Sequence, residues 1–320
     1  MQASGTVKSY LSLIKFSHTV FAMPFALIGF FLGVNHFVPL FSFFSPGPGH
    51  YKGSDSSAVE FINSDLFSLR FWSIKLLLVI LCMIFARSAA MAFNRYLDRR
   101  FDAKNPRTAI REIPAGIIKS NNALLFVIAC AVLFITCTFF INSICFYLSP
   151  VALFVVLFYS YTKRFTALCH LVLGIGLSLA PIGAYLAVTG AFALLPVLFS
   201  FAVVFWVSGF DIIYALQDEE FDKTNRLYSI PSVFGKSKAL RLSELLHLLS
   251  AAFVCGAGIY GKFGTSYWIA TAIFAGMLVY QHSIVKPNDL RRVNIAFMTA
   301  NGVASVVFAA FVLLDLFIKK

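Results

Sequence analysis

Long apolar runs alternate with short polar connections along nearly the whole chain. Nine runs, at about 16–40, 72–94, 122–141, 144–160, 168–189, 191–210, 243–260, 266–284 and 293–317, approach the length a helix needs to cross roughly 30 Å of hydrocarbon. This pattern predicts an all-α protein, a polytopic membrane bundle of about nine transmembrane helices forming one domain over residues 1–320. The division between the third and fourth runs is the least marked, because almost nothing polar separates them. Residues 41–70 read differently. They are rich in Ser, Gly and Pro, carry Asp55, Glu60 and Asp65, and predict a solvated external loop with a short helix near 58–67.

Composition agrees with a lipid-embedded chain: 59% of residues are hydrophobic and 12% are charged, against about 25% charged in soluble domains. The net charge of +12 does not call for nucleic acid, since the cations sit in short loops between apolar runs. Nineteen of the 26 Lys and Arg fall on one set of loops, six on the other, and Arg87 lies inside a run. Cytoplasmic loops carry the excess of Lys and Arg. The amino terminus and segments 95–121 and 219–242 are therefore expected in the cytoplasm and the carboxyl terminus outside, in a membrane such as the bacterial inner membrane. The first run is long enough to be a span and shows no convincing cleavage site, so no removable signal peptide is expected.

Two acidic stretches stand at the ends of apolar runs. One is Asn94-x-x-x-Asp98-x-x-x-Asp102; the other is Asp211-x-x-Tyr214-x-x-x-Asp218-x-x-x-Asp222. Residues four apart share one helix face, so each stretch predicts a polar ladder, with Asp211 two turns below Asp218. Like charges at that spacing repel. A divalent cation is the natural counter-charge, and Mg²⁺ is commonly held by carboxylates together with phosphate oxygens. Glu219 and Glu220 read as ordinary residues of the membrane–water boundary. Asp211 and Arg87 lie in apolar sequence instead. Intramembrane charges face a bundle interior and mark functional paths, and Arg87 stands two turns before Asn94, on the same face.

These stretches and their flanks resemble the UbiA-type intramembrane aromatic prenyltransferases, in particular the 4-hydroxybenzoate branch. The resemblance covers both acidic motifs, the loop from Asp102 to Gly116 with Arg107 and Arg111, the basic turn Tyr161-Thr-Lys163-Arg164, and Ser229-Ile-Pro231-x-x-x-Gly235. It implies transfer of a polyprenyl group from an allylic polyprenyl diphosphate to an aromatic acid. Asn94, Asp98, Asp102, Asp218 and Asp222 would hold Mg²⁺ and carry the catalysis. Arg107, Arg111, Lys163 and Arg164 would bind diphosphate, and Arg87, Asp211 and Tyr214 would form the aromatic pocket. The segment Ile14–Pro24 and the run from Arg87 to Asn94 look closer to a menaquinone-pathway subset that prenylates a dihydroxynaphthoate, which leaves the acceptor open between the two.

Two other classes compete. A cation-coupled transporter would use intramembrane carboxylates, but does not explain paired motifs followed by basic loops. An alcohol phosphotransferase would need a D-G-x-x-A-R run that is absent. A soluble chain-elongating prenyl synthase is excluded by the nine apolar runs. The six cysteines have no C-x-x-C spacing and read as packing residues. The six histidines show no metal-site spacing; His18 and His170 are the two placed to reach a substrate. Gly174, Gly176, Pro181, Gly183 and Gly190 lie in the fifth run. Small residues permit close helix packing, or room for a long isoprenoid chain.

Overall fold

In the computed structural model, residues 2–14, 21–37 and 69–318 are described. The external loop expected at 41–70 falls outside them except for its last two residues, as do Lys15 and His18. The described chain is almost entirely helical. After α1 (Gln2–Leu13) come α2 (Met23–Phe37), α3 (Leu69–Asp102), α4 (Ser120–Ile141), α5 (Ser143–Thr162), α6 (Cys169–Thr189) and α7 (Leu194–Ala215). The second half holds short helices α8 (Glu219–Thr224) and α9 (Ile230–Phe234), then α10 (Lys236–Tyr260), α11 (Thr265–Ile284) and α12 (Asn301–Ile318).

A helix stands at each of the nine predicted spans. Seven are long and apolar enough to cross a membrane, which makes nine an approximate count. α2 is a shorter apolar helix. α11 falls outside the seven because Tyr267, Trp268, Gln281 and His282 dilute its apolar residues. The chain is an integral membrane protein.

One residue divides α4 from α5. Asn142 adopts an extended backbone at φ −170°, and its side chain accepts the Cys145 N–H at 2.9 Å as a helix cap. Its amide Nδ2 donates to the Leu186 and Ala187 carbonyls of α6 at 2.8 and 3.2 Å. A polar side chain that satisfies backbone groups on two helices can end one helix and start the next inside an apolar stretch.

Helices approach closely where side chains are smallest, as expected in lipid, where packing rather than water exclusion drives association. A Cβ on Gly29 of α2 would sit 2.0 Å from the Pro181 carbonyl oxygen, and one on Gly33 would sit 2.7 Å from Val188. Gly174 of α6 meets α7 at Val204 and Ser208 in the same way. Behind these contacts lies an aromatic core of Phe25, Phe199, Trp206, Tyr267, Phe274 and Phe308, all fully buried. Edge-to-face contacts such as Trp206–Phe274 add about 0.5–1.5 kcal/mol each beyond burial.

A buried polar knot fixes the start of α12. The preceding Ile295–Ala300 forms a π-turn, and the Asn301 amide donates to the Ala296 and Phe297 carbonyls at 3.1 and 2.9 Å. Its oxygen accepts from Trp206 Nε1 and Gln281 Nε2, both at 2.8 Å. The knot positions Phe297, whose ring lies 4.2 Å from that of Tyr214.

Candidate active site

α3 runs unbroken through its acidic stretch, so Asn94, Asp98 and Asp102 share one face and all line a cavity of about 650 Å³. Asn94 Nδ2 donates to Asp98 Oδ2 at 3.2 Å. The second stretch is less regular. α7 ends at Ala215, a 3₁₀ turn spans Leu216–Asp218, and α8 starts at Glu219. The single helical ladder from Asp211 to Asp222 is therefore corrected: the tightened turn shifts Asp218 relative to Asp211. Asp211, Tyr214, Asp218 and Asp222 still line the same cavity.

Each of the four motif aspartates at this mouth is met by a cation. Arg164 contacts Asp98 at 2.8 Å, Arg111 contacts Asp102 at 2.6 Å, and Lys163 contacts Asp222 at 2.8 Å. Arg107 forks onto Asp218, with Nε at 3.1 Å from Oδ1 and a second bond from its terminal nitrogen to Oδ2. Its other terminal nitrogen donates to the Tyr214 hydroxyl at 3.0 Å. Bidentate pairs of this kind are the stronger charge-assisted bonds. Four pairs thus stitch three segments together: the α3 end and its loop, the α5–α6 turn, and the α7–α8 junction. The Tyr228 N–H, donating to the Lys163 carbonyl at 2.7 Å, ties the second loop to the turn.

Electrostatics follow the pairing. Burial works against the Lys163 ammonium, but Asp222, with Asp218 beyond it, outweighs burial and raises its pKa. Burial also opposes the Arg107 charge, and Asp218 and Tyr214 raise its pKa in the same way. Both cations remain charged at every physiological pH.

Several buried side-chain atoms of the cavity residues lack a hydrogen-bond partner, among them one at the first acidic motif and one two turns below it. Asp102 Oδ2 is buried with no hydrogen bond, and so is Arg87 Nε. Such groups cost free energy unless something satisfies them. Arg87 lines the cavity, one helix face with Asn94. Arg87→Leu is accordingly expected to raise KM for an anionic acceptor by about 10–100-fold, the cost of losing charge-assisted bonds, with membrane insertion intact. Unchanged kinetics in that variant would mean Arg87 has no substrate contact.

Residues 67–309 match the UbiA prenyltransferase family. The chain belongs to that family. Among curated relatives, 4-hydroxybenzoate octaprenyltransferase of Tolumonas auensis is 31% identical over 242 residues, 75% of this chain and 84% of that protein. The corresponding protein of Paraburkholderia phymatum is 32% identical over 235 residues, 73% of this chain and 82% of that one. Among solved structures, a UbiA homologue from Aeropyrum pernix K1 aligns with TM-score 0.75 and 28% identity, covering 93% of this chain and 98% of that one. A UbiA homologue from Archaeoglobus fulgidus, solved with GPP and Mg²⁺, has the same fold at TM-score 0.67 and 19% identity, over 96% and 99% of the two chains.

Among the described residues of this UbiA-family protein, no three His, Cys, Asp or Glu side chains converge as a ready-made metal cluster. Mg²⁺ does not require one: it is usually held by one or two carboxylates plus substrate phosphates. The donor set fits. It consists of oxygen ligands, two carboxylates on each side of the mouth, and one of their oxygens, Asp102 Oδ2, is buried and unpartnered.

Every site residue named from sequence lines this cavity except Arg164, which reaches it through Asp98. Three other residues, given no role from the sequence, join the site. Asn105 donates to Asp218 at 3.2 Å and its oxygen accepts the Arg107 N–H at 3.0 Å. Ser229 donates to Asp222 at 2.8 Å while capping α9. Tyr159 is on the cavity wall; its place four residues before Lys163 was the available signal. His170 is placed as a cavity residue. Its Nε2 accepts the Ile230 N–H at 3.3 Å, which leaves the proton on Nδ1 to bond Asp211 at 2.7 Å. Two readings are corrected. Arg95, counted with the loop cations, is buried within α3. Glu219 is not a solvated boundary residue: it is buried and accepts from Lys223 at 2.6 Å, with Lys236 at 3.6 Å.

Proposed function

We propose that this protein transfers a polyprenyl group from an allylic polyprenyl diphosphate to 4-hydroxybenzoate in quinone biosynthesis, with Mg²⁺ held by Asn94, Asp98, Asp102, Asp218 and Asp222. The observation that carries the reading is the set of four aspartate–cation pairs at the mouth of a mainly apolar cavity. The relatives' shared name, over three quarters of the chain, supports the acceptor.

Four carboxylates balanced by four cations make a mouth that is neutral as a whole. In this reading the four carboxylates would hold the metal, and Arg107, Arg111, Lys163 and Arg164 would turn from them to the oxygens of the diphosphate. Bound there, Mg²⁺ would neutralise the charge that builds on the leaving diphosphate. The cations supply donors aimed at the same oxygens, and in a site shielded from water such donors are worth far more than in bulk. The apolar walls keep water from the allylic cation so that the aromatic ring captures it, and the ring's C–H bond then breaks as its proton passes to the departed diphosphate. Arg87, which lines the cavity, would offer its guanidinium to the acceptor's carboxylate. Asp211, oriented by His170, accepts from the acceptor's hydroxyl and so raises the electron density of the ring. Tyr214, clamped between Arg107 and Phe297, forms the wall beside it.

The acceptor is tested by incubating membranes that contain the protein with labelled polyprenyl diphosphate and a panel of aromatic acids. Labelled product from 4-hydroxybenzoate is expected. Product from a dihydroxynaphthoate alone would reassign the acceptor, and cation flux in proteoliposomes without any product would favour a transporter.

The site faces the cytoplasm in this reading, by the bias of basic residues. Cysteines placed at the exposed positions Lys104 and Thr224 are expected to react with an impermeant thiol reagent only from the cytoplasmic side, and one at exposed Thr265 only from the other. The reverse pattern would invert the topology.

A further inference from the structure

The cavity does not stop at the ion pairs. It follows one face of α6 from His170 to Ala187, a rise of about 26 Å at 1.5 Å per residue. Along that helix the small residues Gly176, Ala180, Gly183 and Ala184 alternate with larger ones such as Leu173, Leu177 and Ile182 in the cavity wall. The glycines of α6 divide into two kinds. Gly174 is closed off by α7, where a Cβ would sit 2.4 Å from the Val204 carbonyl oxygen. A Cβ on Gly176 would make only ordinary contact, 3.7 Å from Val156, and one on Gly183 would meet nothing within 4 Å. Glycine weakens a helix interior by about 1 kcal/mol relative to alanine. Packing explains that cost at Gly174 and does not explain it at Gly183. A second feature ties this groove to the ion pairs: Gly176, Gly183 and Ala187 line one continuous cavity with Asp98, Asp102, Asp218 and Asp222.

We propose that Gly176 and Gly183 are the specificity-determining residues for prenyl chain length, holding open a groove for a long linear isoprenoid tail. The assignment rests on the prenyl-transfer reading above. The diphosphate sits at the ion pairs near His170, and the tail runs along α6. Gly176 lies about 9 Å and Gly183 about 20 Å along the helix from His170. A side chain at Gly183 would therefore obstruct only long tails, and one at Gly176 would obstruct shorter ones. At the far end, Lys75 and Asn142 bond the Leu186 and Ala187 carbonyls, which fixes the wall in place.

The test uses purified full-length protein and reads two quantities for geranyl and for octaprenyl diphosphate: binding affinity, and transfer to 4-hydroxybenzoate. Gly183→Leu is expected to weaken octaprenyl binding and transfer at least about tenfold, the scale of overpacking, and to leave geranyl within about threefold. Gly176→Leu is expected to weaken both. Gly256→Leu on α10 is the control, since a Cβ there also meets nothing within 4 Å but lies outside the cavity. It should change neither. Equal losses for both chain lengths in Gly183→Leu, or no loss for either, would overturn the proposal. Chain-length discrimination in binding without transfer to any acceptor would uphold the groove and sink the transferase reading instead.

Discussion

Asp98→Asn and Asp218→Asn are each expected to lower turnover by about 10²–10³-fold, the scale of losing one preorganised transition-state partner, at unchanged membrane abundance. Each change keeps the side chain's size and removes one negative charge from one side of the mouth. The structural cost is smaller than the catalytic one. Asp98 and Arg164 are 25% and 28% exposed, and Asp218 and Arg107 are 14% and 32% exposed. Solvent screens pairs of that kind. Asp222 is a poorer choice for this test, because its side chain is fully buried on Lys163, and stripping one partner from a buried pair is strongly destabilising. Glu220→Gln is the matched control: it is exposed on α8, two residues from Asp218, and should stay within a few-fold of the parent. Glu219→Gln would not serve, since Glu219 is buried between Lys223 and Lys236. If Asp98→Asn and Glu220→Gln behave alike at matched protein levels, the two-motif metal site is wrong.

Exhaustive removal of divalent ions is expected to abolish prenyl transfer, and added Mg²⁺ to restore it. The reason lies in the charge balance. Arg107, Arg111, Lys163 and Arg164 are already committed to carboxylates. A diphosphate arriving without a metal would bring its negative charge into a mouth whose cations are occupied. The carboxylates would then repel it, and the bundle's low polarity would enlarge that penalty. Loss should show both in prenyl diphosphate binding and in turnover, measured on chelated protein with and without Mg²⁺. Full turnover after chelation would remove the metal from the account.

Much of this arrangement is legible in the sequence because it is periodic. The Asn94–Asp98–Asp102 ladder needs only a helix to place three polar groups on one face, and α3 is a helix through all three. The apolar runs locate the helices because a span must be long and apolar. Where the sequence misleads, a local exception wins over the period. The 3₁₀ turn at Leu216–Asp218 breaks the register of the second motif, and nothing in the run Ile-Ile-Tyr-Ala-Leu announces it. Asn142 splits α4 from α5 through bonds to α6, a contact invisible to a linear reading. Arg95 resembles its neighbours Arg99 and Arg100, yet its side of the helix is buried. Pairing is a tertiary property for the same reason: the four cations were recognisable by type, but which aspartate each one meets depends on how three loops converge. The α6 glycines make the point within one helix, since Gly174 and Gly176 are two residues apart and face different surroundings.

The most direct measurement of the central claim is product formation at this mouth. Purified protein is mixed with labelled polyprenyl diphosphate, 4-hydroxybenzoate and Mg²⁺, and label is counted in a lipid-soluble aromatic acid that requires both substrates. Wild-type protein should form that product, and a variant carrying both Asp98→Asn and Asp218→Asn should not. Equal product from the double variant, or none from the wild type with any aromatic acid, would contradict the account.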